Sequence, residues 1–239
     1  MPTTDTPATL VICATVPAAA GGARRGEWPR FSGSGVPVTW IASWDGLALI
    51  ASSDASGRHD VALDLPPGAL ASRQRMRTLL ARAREAFPTL DTVMVPGDAD
   101  QGQRSLLIDE GVRAVLVDHL PVDGRGLRRP APPGWRCRNT AWGLWDIEAA
   151  LPKPRGLLAW LRQGMPRIRR GALHVVKTEG LMVGSGGRIF LTPRLERWLA
   201  WAGQQVERGT ARAETVTGLM TSLAGEGRQP LAGSVLRAA

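Results

Sequence analysis

The side chains with chemistry beyond packing are few: three histidines, two cysteines and a scatter of carboxylates at the ends of apolar runs. His59 opens an expected strand within GRHDVALDL, His119 follows Asp118 after the apolar run VRAVLV, and His174 lies inside GALHVVKTEG. An imidazole can ligate a metal or move a proton near neutral pH, but a catalytic zinc needs about three protein ligands converging on it. None of the three histidines has a partner at metal-ligand spacing. HExxH, CxxC, GxSxG, phosphate-loop and dinucleotide-glycine patterns are all missing. Gly184-Ser-Gly-Gly precedes Arg188-Ile-Phe-Leu rather than a helix and reads as a turn. Cys13 and Cys137 form no disulfide framework, which fits a reduced, cytoplasmic setting.

Charge offers a second kind of chemistry. The formal net charge is +9 and the pI about 11.2, a balance that suits nucleic acid, phospholipid or acidic glycan. Lysine, however, occurs only at Lys153 and Lys177, and the remaining basic residues are Arg. An Arg-rich, Lys-poor, Ala- and Gly-rich chain is what a GC-rich genome encodes without any anionic partner. Trp160 stands among Lys153, Arg155, Arg162, Arg167, Arg169 and Arg170, and Trp135 among Arg128, Arg129, Arg136 and Arg138. Rings and cations so interleaved could hold a single strand, or the rings could fill a core while the arginines face water. The apolar segment Ala8–Ala20 lacks a basic start, carries Asp5 before it, and reads as a buried strand rather than a leader. No run approaches the roughly 20 apolar residues needed to span a membrane.

The elements that must position these residues alternate along the chain. Strands are expected at Thr9–Val16, Val36–Ile41, His59–Leu65, Thr92–Val95, Val112–Val117, Trp142–Ile147 and Ala172–Val176. Helices are expected at Trp44–Ser52, Ser72–Phe87, Gln103–Glu110, Pro154–Gly164, from Thr192 through Arg208, and from Val216 to about Ala224. Met76, Leu80, Ala83 and Phe87 form one apolar stripe, and Leu195, Trp198, Ala202 and Val206 another. Thr192-Pro193 is an N-cap and first-turn pair. Residues 120–139 read as a long surface loop. Strands separated by helices imply a parallel sheet, and about seven such units favour barrel-like closure over an open doubly wound sheet. The whole chain, 1–239, reads as a single α/β domain with its core in about 8–225 and a loose tail. Ligands bind such sheets at the carboxyl ends of the strands.

Several phrases, in order, resemble the polysaccharide deacetylases of the NodB-homology, carbohydrate esterase family 4 type. Gly35-Val-Pro-Val-Thr-Trp is similar to that family's second strand. Gly57-Arg-His-Asp-Val-Ala-Leu-Asp is similar to its metal-binding Gly-His-Glu-Ile-Ala-x-His. Val93-Met-Val-Pro-Gly stands where the family carries Arg-x-Pro-x-Gly, and Gly171-Ala-Leu-His matches its late Leu-His strand. The resemblance spans about residues 8–225. It implies an irregular (β/α)7-type barrel of mostly parallel strands. It also implies His59 and Asp64 as remnants of a metal site and His174 as the residual catalytic acid. Asp98, Asp118, His119 and Trp142 would then line a ligand site.

The departures bear on function. The family's first-strand carboxylates, a catalytic base and a metal ligand, are replaced by Cys13-Ala14-Thr15; its second metal histidine by Asp64; and its motif arginine by Met94. Hydrolysing an acetamide in this way needs a metal-activated water and a base. The expectation is a catalytically degenerate protein that binds carbohydrate or regulates, with zinc only if a metal site survives. The alternatives are a divergent metal-dependent hydrolase of N-acetylated sugars and an Arg-rich nucleic-acid or polyanion binder.

Overall fold

The run TLVICATV is apolar and rich in β-branched residues, and in the computed structural model it forms a first strand, β1 (Ala8–Thr15), buried along nearly its whole length. The structure describes residues 6–17, 35–51, 59–95, 101–117, 137–141, 143–149, 165, 168–184 and 188–226. After β1 come β2 (Thr39–Ala42), α1 (Trp44–Ala51), β3 (Asp60–Asp64), a 3-10 turn at Ala69–Ala71, α2 (Arg73–Ala86), β4 (Thr92–Val95), α3 (Gln101–Asp109) and β5 (Ala114–Val117). They are followed by β6 (Cys137–Ala141), β7 (Leu144–Glu148), β8 (Leu173–Glu179), β9 (Leu181–Val183), β10 (Ile189–Leu191), α4 (Pro193–Glu207), β11 (Ala211–Glu214) and α5 (Val216–Glu226).

Local chemistry sets the helix boundaries. The Ser72 hydroxyl accepts from the Arg75 N–H and starts α2, whose Met76, Leu80 and Ala83 are buried. Gly111, at φ 74°, ends the helical turn after α3 in the left-handed conformation that glycine adopts without a Cβ penalty. Thr192 caps α4 through Leu195, with Pro193 in the first turn. Arg84 on α2 donates to the Leu90 and Glu110 carbonyls and so ties the entries to β4 and β5 together.

β1 is the hub of a nine-stranded sheet. One edge pairs with β8 from Thr9–Leu173 to Thr15–Glu179. Its other edge is shared, the amino half with β11 and the carboxyl half with β2. From β2 the sheet continues through β3, β4, β5 and β7, every pair parallel, and ends on antiparallel β6. The chain is a mixed α/β fold with a curled, largely parallel sheet. Among the described residues no pairing joins β6 or β7 to β8, so the sheet forms a half barrel.

Alternation along the strands divides the core in two. Leu10, Ile12, Trp40, Leu63, Val93 and Val115 face the layer of α1–α4. Val11, Cys13, Ile41, Ala62, Met94, Leu116, Ile147 and Val175 line the concave face, where Val216, Leu219 and Met220 of α5 pack against them.

The structure corrects some expectations, adds elements to others and leaves one untested. The stretch read as loop at 120–139 ends in β6, which begins at Cys137 and pairs with β7. Arg188-Ile-Phe-Leu belongs to a β9–β10 hairpin, and the unexpected strand β11 fills the edge of β1. Val206, placed on the buried stripe of α4, is 40% exposed because the last turn rises off the core. The helix expected at 154–164 lies outside the described residues.

Candidate functional site

The sheet has an amino end and a carboxyl end, and the residues singled out in the sequence divide between them. His59 sits just before β3, at the amino end, where its Nδ1 accepts the Val38 N–H at 3.2 Å. Its ring meets Trp40 edge-on, centroids 6.3 Å apart. Asp64 closes β3 at the carboxyl end and is exposed. Five residues of strand put the two roughly 16 Å apart. Odd spacing also turns them to opposite faces, His59 with Val61 and Leu63 toward the helices, Asp64 with Ala62 toward the concavity. They cannot share a zinc ion.

His174 is likewise displaced from the place its proposed role requires. It is the second residue of β8, near the amino end, and alternates with Val176 toward the helix layer. It is 9% exposed, and its Nε2 accepts the Arg169 N–H at 3.4 Å. The ring is a packed, hydrogen-bonded core residue, far along the strand from Asp64 and on the other face. Among the described residues, no three His, Cys, Asp or Glu side chains gather to hold a metal. His59, Asp64 and His174 therefore do not come together as the zinc site that the resemblance implies. Asp98, Asp118, His119 and Trp142 lie outside the described residues, as do Trp135, Trp160 and most of the arginines around them.

The amino end of the concavity is closed by α5. Thr39 Oγ1 accepts the Val216 N–H at 2.9 Å, and Thr215 Oγ1 accepts the Gly218 N–H at 3.1 Å. Between them, Asp60 Oδ2 accepts from both the Thr217 N–H (2.9 Å) and the Thr217 hydroxyl (2.6 Å). Three N–H groups that a helix leaves open in its first turn are thus filled by side chains from β2, β3 and the cap itself. Burial pushes the Asp60 carboxyl above its ordinary value, against the opposing pull of the Thr217 hydrogen bonds. A carboxyl raised on folding stabilises fully below its unfolded value near 3.8, and that contribution is lost as pH rises through the higher folded value. Asp60→Asn is therefore expected to flatten the stability profile above pH about 4. Urea midpoints compared across the acid-to-neutral range check this, and an unchanged slope in the variant would refute it.

No family model, curated protein or solved structure matches the chain.

The remaining polar residues of the concave side lie at the carboxyl mouth of the sheet. Continuing the alternation from Val11, Ala62 and Val175 places Thr15, Asp64, Lys177 and Glu179 on the concave side at that end. Ser43, between β2 and α1, adds a buried hydroxyl with no hydrogen-bond partner. Beneath them lies the Cys13 thiol, opposite Lys177 in the β1–β8 register. Burial chiefly, with Asp60 adding and Lys177 opposing, pushes that thiol up to about 12. Cys137 is held up at about 12 by burial and then by Asp146. Both are thiols at neutral pH, and the thiolate is the nucleophilic form. That end of the sheet therefore carries two hydroxyls, two carboxylates and an ammonium.

Thr15, Lys177 and Glu179 were not singled out as site residues in the sequence. The signal that finds them is alternation in LHVVKTE, counted from the correct inward residue, Val175.

Proposed function

We propose that the chain is a deacetylase-like half barrel without hydrolytic machinery that binds carbohydrate at its carboxyl mouth. The observation that carries this reading is the inward-facing end of β1. There the reaction would need a carboxylate base, and the positions hold a buried Cys13 thiol and Thr15. Met94, standing where the motif arginine would orient that base, is packed into the same apolar concave cluster. Asp64, Lys177 and Glu179 remain as polar groups able to hold hydroxyls of a sugar. Hydrogen bonds to charged groups contribute about 1.5–3 kcal/mol each, enough for selective binding without chemistry.

Two assays on the full chain test this. Acetate release from penta-N-acetylchitopentaose, with and without added zinc, is expected to match the buffer control. Calorimetric titration with the same oligosaccharide is expected to show saturable binding, weakened about tenfold by Asp64→Ala or Lys177→Met. Zinc-dependent acetate release would overturn the loss of catalysis. Binding that is absent, or indifferent to both substitutions, would overturn the mouth as the site.

A further inference from the structure

α4 turns its apolar stripe into the core, and the charges on the rest of its surface are sorted by sign. At about 100° of turn per residue, Arg194, Arg197 and the C-cap Arg208 fall within about 60° of one another around the axis, with Trp201 between them. Glu196 and Glu207 share a different flank, about 120° away. All five charged residues are exposed, and Trp201 is half-buried. The Trp201 ring is held in place edge-on to Trp198.

This sorting leaves the arginines without neutralising neighbours. Ion-pair partners on a helix stand three or four residues apart, and neither glutamate has that spacing to any of the three. Arg197 Nε donates to the Pro193 carbonyl at 3.1 Å. Among the described residues, no carboxylate pairs with Arg194, Arg197 or Arg208. Elsewhere on the surface Arg73 pairs with Asp109, Arg77 with Glu110 and Arg113 with Asp91. Arg194 stands in the first turn of α4, where the helix dipole adds to its positive potential.

From Arg194 to Arg208 the line runs about 21 Å along the helix at 1.5 Å per residue. Positive charge continues beyond it. The β1 backbone bonds to the Thr210 carbonyl on one side and the Ala172 carbonyl on the other. The exposed Arg169, just ahead of β8, therefore lies at the same end of the sheet as Arg208.

A line of unneutralised guanidinium groups suits an anion repeated along a chain, and an indole set among them suits a flat ring carried by that chain. A single nucleic-acid strand supplies both, its phosphates meeting arginines and a base stacking on the aromatic. A membrane surface fits less well, because the apolar residues of α4 are committed to the core. We propose that the outer face of α4 is a binding surface for single-stranded nucleic acid, with Arg194, Arg197 and Arg208 on phosphates and Trp201 under a base.

The test follows fluorescence anisotropy of labelled oligo(dT) and oligo(U) with the full-length protein between 50 and 200 mM salt. Arg197→Gln with Arg208→Gln is expected to weaken binding about tenfold. It should also lower the log–log salt slope by about 1.4, since each phosphate contact on a single strand contributes about 0.7. The control is Arg75→Gln with Arg82→Gln, which removes the same charge from exposed positions on α2 and should leave both quantities nearly unchanged. Trp201→Leu, which keeps an apolar side chain against Trp198, should weaken binding about tenfold, and Trp201→Phe should retain most of it. A preference between the two oligonucleotides would tell DNA from RNA as the strand bound. Wild type that binds neither at 50 mM salt overturns the proposal. Equal losses in the α2 and α4 pairs would assign binding to net charge and overturn the surface. Affinity indifferent to Trp201→Leu, with heparin competing as well as either oligonucleotide, would make the face a general polyanion site and overturn the nucleic-acid assignment.

Discussion

Replacing Asp146 by Ala is expected to destabilise the fold by about 3–5 kcal/mol, the usual cost of leaving one member of a buried ion pair alone. Asp146 points from β7 toward the helix layer and pairs there with Arg104 of α3. Their side chains are 6% and 15% exposed, so water can do little for the guanidinium once its partner is gone. A domain of this kind holds about 5–15 kcal/mol in total, so the variant should unfold at a much lower urea concentration. The double replacement Arg104→Met with Asp146→Leu is expected to recover most of the loss, because buried pairs and well-packed apolar residues are often nearly equal in energy. A single variant as stable as wild type would show that the pair is solvated in solution. Asp146 faces away from the concavity, so the folded fraction should keep any ligand affinity.

Trp198→Ala should cost a comparable amount, about 3–5 kcal/mol, through lost burial and the cavity left behind. Trp198 is 1% exposed and stands edge-on to Trp201, centroids 5.3 Å apart at 89°. It is the central residue by which α4 packs on the sheet, beside Leu195, Leu199 and Ala202. The control is Val206→Ala on the same helix, whose side chain is 40% exposed and whose loss should change stability by less than about 0.5 kcal/mol. Similar losses in the two variants would show that the stripe extends a turn further than the structure places it.

The elements carried by strong apolar periodicity were legible in the sequence. β1 announces itself by eight residues with no break, and α2 by Met76, Leu80 and Ala83 behind a Ser72 cap. The strands that escaped are short and polar. ARAE of β11 and CRNTA of β6 carry no run of their own and are strands because a neighbouring edge demands a partner. Site residues were harder still, for a geometric reason. The LHVVKTE stretch is covered on both faces, so its composition does not say whether His174 or Val175 looks inward, and one step of register reverses every side chain. His174 and His59 drew attention as imidazoles, yet both sit at the amino end of the sheet and face the helices. Lys177 and Glu179 lie on the concave side at the carboxyl end, and nothing in their residue types sets them apart.

The sharing of β1 between its neighbours has a consequence for how the protein is made. The Thr9 hydroxyl accepts from Arg212, 203 positions away, and the Thr15 hydroxyl donates to the Thr178 carbonyl, 163 positions away. A ribosome adds about 5–20 residues per second, so the first strand emerges many seconds before two of its three partners exist. Throughout that interval an apolar, β-branched ribbon has one edge and half of the other without a mate, the condition under which nascent chains find each other instead. Such distant pairings also make refolding slow once the chain is complete. Expression of this protein should therefore suffer when translation is slowed, and gain from a holdase that shields the first strand until the last one arrives.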